Sequence, residues 1–232
     1  MNTEMLIAGA IGFAPALILM FWTLRDYTYP KVEKPFFEDK RAFGLFAVGM
    51  VIGVVVFSVQ SWFSIELVLI ALLFALVEQL IKLTILNFPR FQRKLDTSFY
   101  GLTLGLGIGS TMAFGAAYST LHVVSDASAL TFVMVVLLGA GLVLLHGSTG
   151  ATIAVGVTRG APWSFFAQAT LIHIAYNLIM IPFYVLGDWP RFIFFFVALA
   201  AVAAYYAYVH SKLLPGVVKE GISMLVTKTK RS

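Results

Sequence analysis

The chain has no cysteine and very little charge. Without cysteine there can be no disulfide, no thiolate nucleophile and no Cys-ligated metal. Charged residues make up 12% of the sequence, against about 25% in an ordinary soluble domain. The 232 residues are 60% hydrophobic with a mean hydropathy of +0.92, more apolar surface than a water-exposed fold can hide. A soluble enzyme, a disordered chain and a nucleic-acid-binding domain are thereby excluded. The net charge of +5 then reports membrane topology rather than an anionic partner. The composition is that of an all-α polytopic membrane protein whose first partner is the lipid bilayer.

What the sequence does have is long apolar runs. A spanning helix needs about 20 mostly apolar residues, and seven stretches qualify: 4–23, 42–61, 64–88, 99–121, 130–157, 163–186 and 191–210. The first reads as a retained helix, because only Glu4 precedes it and neither a basic leader nor a small-residue cleavage site is present. If seven helices alternate, all of the 16 basic residues but Lys82 and Arg191 fall on one side. The positive-inside rule then puts the N-terminus outside and the C-terminus in the cytoplasm. Residues 1–211 read as one transmembrane domain. Residues 212–232 read as a basic cytoplasmic tail, either lying on an anionic leaflet or solvated.

Ionisable groups inside a membrane are costly, so they are functional candidates by default. Glu66 falls near the outer end of the third span, within reach of water, but Glu78 lies well inside it. Gln79 is beside Glu78, and Lys82 follows at i+4 on the same face, where the two charges can pair. His146 lies in the fifth span; His173 and Asn177, again one turn apart, lie in the sixth. Counted at the helical rise, Glu78, His146 and His173 sit about 15–20 Å from the basic side, at one level. Such a set suits general-base chemistry, in which a carboxylate takes a proton from water while imidazole and amide donors hold an oxyanion. The same Glu78, His146 and His173 are also a ligand set for a divalent metal such as zinc, though without a spacing signature. A structural ion pair between helices is the plain alternative.

Gly101, Gly105 and Gly109 recur every four residues, with Gly107 between them, and Gly147, Gly150 and Gly156 follow His146. In apolar helices this spacing reads as close backbone packing, not a phosphate loop. No His-Glu-x-x-His helix or intramembrane aspartate pair is present. Gly147-Ser148-Thr149-Gly150 lacks the serine register of a rhomboid motif.

Over residues 24–178 the chain resembles the PrsW family of intramembrane proteases, within the superfamily of CAAX prenyl endopeptidases and abortive-infection proteins. Val32-Glu33-Lys34-Pro35-Phe36-Phe37, followed by Arg41-Ala42-Phe43-Gly44, is similar to the family's acidic-proline loop. Glu78-Gln79-Leu80-Ile81-Lys82 is similar to its Glu-Glu-x-x-Lys motif. Asp96 through Tyr100-Gly101 to Gly107, His146 with Gly150, and His173 through Asn177 resemble the later segments.

The resemblance implies an intramembrane peptidase of the plasma membrane that cleaves a membrane-associated protein near the cytoplasmic side. Glu78 would be the base, His173 and Asn177 would stabilise the oxyanion, and His146 would hold water or a metal. Gln79 and Lys82 would support them. Two positions depart from the family. Gln79 replaces the second glutamate, and Ile108-Gly109-Ser110-Thr111-Met112 carries no acid where the family has Phe-x-x-x-Glu. The alternative is therefore an inactive homologue serving as a binding or assembly subunit of a membrane complex. An active peptidase predicts a wet cavity reaching Glu78 from the cytoplasm. The inactive homologue predicts Glu78 locked to Lys82 in a dry interior.

Overall fold

The structure is a computed structural model that describes residues 3–63, 68–124, 128–187 and 189–229, with side chains as far as 223. Glu66 lies outside the described residues. Eight helices follow one another: α1 (Thr3–Leu24), α2 (Asp39–Gln60), α3 (Val68–Leu86), α4 (Thr97–Val123), α5 (Ala129–Arg159), α6 (Pro162–Val185), α7 (Arg191–Tyr208) and α8 (Leu214–Thr229). Among the described residues there is no strand, and the protein is an all-α polytopic membrane protein. Six helical segments among the described residues are long and apolar enough to cross a membrane, the last of them running from Arg191 through Ser223.

The fourth stretch expected from sequence, α4, is the centre of the bundle rather than a lipid-facing span. Every residue from Thr97 to Ala113 is buried. Its glycines, serines and threonines make it less apolar than its neighbours, which is affordable because protein, not lipid, surrounds it. α2 packs parallel to it and α1 and α5 antiparallel. Gly49 and Gly53 of α2 meet α4 at Leu104–Ile108 and at Ile108–Thr111, Gly12 of α1 meets Ser110 and Phe114, and Gly101 and Gly105 meet Gly150 and His146 of α5. Gly101, Gly105 and Gly150 are among the glycines whose spacing predicted close approach; Gly12, Gly49 and Gly53 were not singled out from the sequence.

α1, α3, α5 and α7 run one way and α2, α4 and α6 the other, while α8 keeps the direction of α7. α3 lies against α6 in antiparallel register, with Gln79 opposite His173 and Ala71 opposite Asn177. The loops rich in basic residues accordingly gather at one end. There the Arg93 amide donates to the Val157 carbonyl at 3.3 Å, the Glu38 amide donates to the Tyr100 hydroxyl at 3.1 Å, and Arg159 forks onto Glu220 at 2.9 and 2.6 Å.

The chain does not leave its helix at Lys212. α7 passes through a π turn, Val209–Leu213, directly into α8. Pro215 has no N–H for the preceding turn, and the wider turn just before it accommodates the missing bond. Leu213, Leu214, Val217 and Val218 are buried against the bundle, so this stretch is packed rather than frayed.

Candidate active site

Glu78, His146 and His173 come from α3, α5 and α6, and all three are buried. The close α4–α5 and α3–α6 contacts bring them to one level. The Glu78 Oε2 lies 3.5 Å from His146 Nε2 and 3.9 Å from His173 Nε2. The imidazoles meet edge to face with centroids 5.2 Å apart. Among the described residues Glu78 Oε2 and His146 Nε2 are buried without a hydrogen-bond partner, so both are aimed at a shared space.

Lys82 and Glu78 do not form the ion pair expected from their spacing. They share a face of α3, but α5 and α2 offer each a nearer partner. The fully buried Lys82 ammonium donates to Gln79 Oε1 at 3.2 Å and Thr149 Oγ1 at 2.8 Å, and it lies 3.1 Å from His146 Nδ1. Glu78 Oε1 instead accepts from Gln60 Nε2 of α2. Gln60 and Thr149 were not singled out from the sequence. A lone glutamine at a helix end and a threonine in a small-residue run carry no periodic signal.

With Lys82 protonated, the hydrogen bonds set the histidine tautomers. An ammonium can only donate, so His146 Nδ1 accepts from Lys82 and its proton is on Nε2. Because Lys82 donates to Gln79 Oε1, the Gln79 amide nitrogen faces His173 Nδ1, at 2.6 Å. His173 Nδ1 therefore accepts as well, and both Nε2–H groups point towards Glu78 Oε2. With Gln60 engaging Oε1, Oε2 is the basic atom left free.

This arrangement bears on the metal reading. The ligand atoms of Glu78, His146 and His173 lie within 4.8 Å of one another. A metal-binding histidine, however, normally donates its far N–H to an acceptor while its other nitrogen offers a lone pair. Here both far nitrogens face donors, and two N–H groups point at the centre. The donor set does not fit a divalent cation while Lys82 is protonated. Gln79→Glu should reverse this at His173, since a carboxylate beside His173 Nδ1 turns that nitrogen into the donor and frees Nε2 to join Glu78 as a ligand. The variant is expected to retain zinc through dialysis where the wild type does not; metal analysis of the two purified proteins, finding equal zinc content, would count against this tautomer assignment.

A cavity of about 200 Å³ leads away from the three groups. Its walls include Phe57, Ile70, Phe74, Ala116, Leu138 and Tyr184, and Phe63 lies at its mouth. These residues lie towards the end opposite the basic loops, where Phe63 and Tyr184 are exposed. On the basic side the site is closed by buried Gln79, Lys82, Leu83, Leu86 and Ile153. This cavity thus runs towards the end opposite the basic loops, and the polar network lies on its basic side. Asn177 lines the cavity one turn beyond His173, and its amide donates to the Ala71 carbonyl at 3.1 Å. Met112, at the position where the resembled family has its further acid, also lines the cavity.

Comparison with known proteins gives no match to a family model, a curated protein or a solved structure.

Proposed function

We propose that the protein is a PrsW-like intramembrane peptidase in which Glu78 activates water for cleavage of a membrane-associated protein. The observation that carries this reading is the free Glu78 oxygen facing two imidazole N–H groups at the head of a cavity. A water bound at Oε2 would lose its proton to the carboxylate as it attacks a peptide carbonyl. The oxygen of that carbonyl gains negative charge, and the Nε2–H groups of His146 and His173 are the donors placed to stabilise it. The second amide hydrogen of Asn177 is a further donor along the cavity wall. Protonated Glu78 would then return its proton to the leaving amine, so that the carboxylate is regenerated. No step requires a metal.

The direction of the cavity moves the cut away from the cytoplasmic side given by the sequence. The substrate would approach from the end opposite the basic loops, between α2, α3 and α6. The aromatic and small residues of the wall suit an unwound apolar segment. With the N-terminus outside, as the basic loops require, that end faces away from the cytoplasm.

The test compares new protein N-termini in native membranes from wild-type cells and a Glu78→Ala strain matched for expression. Termini that vanish in the variant and return with the wild-type gene support proteolysis and identify the substrate. They are expected to map to the extracytoplasmic half of a membrane segment or just outside it. Identical termini in the two strains would favour the second reading, an inactive homologue serving in a membrane complex. Two positions favour that reading: Gln79 and Met112 leave Glu78 as the one carboxylate in the cavity wall among the described residues.

A further inference from the structure

At the opposite end of the molecule, a second groove combines charge with apolar surface in a way peptide cleavage does not use. It occupies about 350 Å³ where α2 meets the loop between α3 and α4. Leu45 and Phe91 are buried and form its floor, and Arg41, Arg90 and Lys94 border it. Arg41 shares its charge with Glu38 at 3.0 Å and Asp96 at 3.9 Å. Arg90 and Lys94 are exposed and form no ion pair among the described residues. The Arg90 guanidinium rests on the Phe91 ring, 4.6 Å from its centroid, which holds it at the border of the groove.

The apolar part continues along the helix. Gly44 and Val48 line the groove, and Val51 and Val55 extend the same exposed face of α2 towards the middle of the bundle. A Cβ at Gly44 would meet nothing within 4 Å, so the missing side chain leaves a notch between the cations and the valines. The order from the end of the helix inward is cation, notch, apolar track. That is the order of phosphate, glycerol and acyl chain in a membrane lipid. An acidic soluble protein has no use for the valine track, and neither has free phosphate.

We infer that this groove holds an anionic phospholipid from the leaflet on the basic side of the protein. Its phosphate lies against Arg90 and Lys94, Arg41 donates to it, and an acyl chain follows Val48, Val51 and Val55. Basic pockets between membrane helices recognise head groups through the same combination. The bound lipid would fasten the α3–α4 loop to the start of α2, bridging two segments at the base of the α3 helix that carries Glu78.

The test uses the purified full-length protein in neutral detergent, offered phosphatidylglycerol or phosphatidylcholine, with retained lipid counted by native mass spectrometry. The wild type should retain phosphatidylglycerol about tenfold better than phosphatidylcholine, as expected for two unpaired cations at the site. The Arg90→Ala, Lys94→Ala double variant should reduce that preference to about twofold or less. Gly44→Trp fills the notch without touching the core or the charges, and should likewise lose retained phosphatidylglycerol. A Lys31→Ala, Lys34→Ala variant removes the same charge from a different loop and should keep the preference. Millimolar inorganic phosphate should not displace the lipid. Equal retention of both lipids by the wild type would overturn the inference, as would an unchanged preference in either groove variant. Equal loss in the Lys31, Lys34 control would reduce the effect to general surface charge, and displacement by inorganic phosphate would make the groove a phosphate site; both also overturn it.

Discussion

Glu78→Gln is expected to slow cleavage about 10³-fold, the scale of a lost general base, while leaving the melting temperature almost unchanged. Glutamine keeps the volume of the side chain; its amide oxygen can accept from the His146 and His173 N–H groups while its nitrogen donates to Gln60, whose own amide turns over. It cannot take a proton from water. The buried carboxylate has Gln60 on one oxygen and faces the His146 and His173 rings with the other, at 3.5 and 3.9 Å. Removing its charge therefore takes the carboxylate base out of the site without opening a void. The measurement is turnover of the substrate identified from membrane termini, alongside a thermal melt in detergent. Activity above roughly a tenth of wild type would remove Glu78 from the role of base, whereas joint loss of activity and melting transition would show a structural role.

Gly105→Leu should be the most destabilising single change in the helical core. A Cβ there runs into the carbonyl oxygen of His146 and lies 3.1 Å from the Gly147 Cα. The obstruction is backbone on a facing helix, so no rotamer change relieves it. Overpacking against side chains costs about 1–3 kcal/mol; backbone against backbone should exceed that, because α4 and α5 must separate along their length. Close packing is also the main force holding membrane helices together, lipid being as apolar as leucine. The variant is expected to lose most of its monodisperse, folded fraction on size-exclusion chromatography and to displace His146. Gly9→Leu is the matching control, since a Cβ at Gly9 meets nothing within 4 Å. Equal melting temperatures for the two variants would contradict the role given to the α4–α5 contact.

The same contrast between pattern and packing separates what was legible in the sequence from what was not. Composition and the lengths of the apolar runs determined the all-α membrane architecture, because a bilayer admits few other solutions for an unpaired backbone. The glycines of α4 announced close packing, and the helical rise put Glu78, His146 and His173 at one level. Those are one-dimensional properties, carried by spacing along a helix of known pitch. The rotation of each helix about its axis is not, and it decided the chemistry of the site. Glu78 and Lys82 share a face by spacing, yet α5 presents His146 and Thr149 to the lysine while α2 presents Gln60 to the glutamate. The tautomers of both histidines, and the poor fit of a divalent cation, depend on those partners. The centrality of α4, less apolar than its neighbours because protein surrounds it, also emerges only from packing. So does the direction of the cavity: polar side chains fill the basic-side half of the interior, and aromatic and small residues leave space in the other. The sequence by itself determined which polar groups are buried and how deep. Only the tertiary structure decided which of them face one another, because hydrogen-bond partners come from different helices whose relative rotation no single helix encodes.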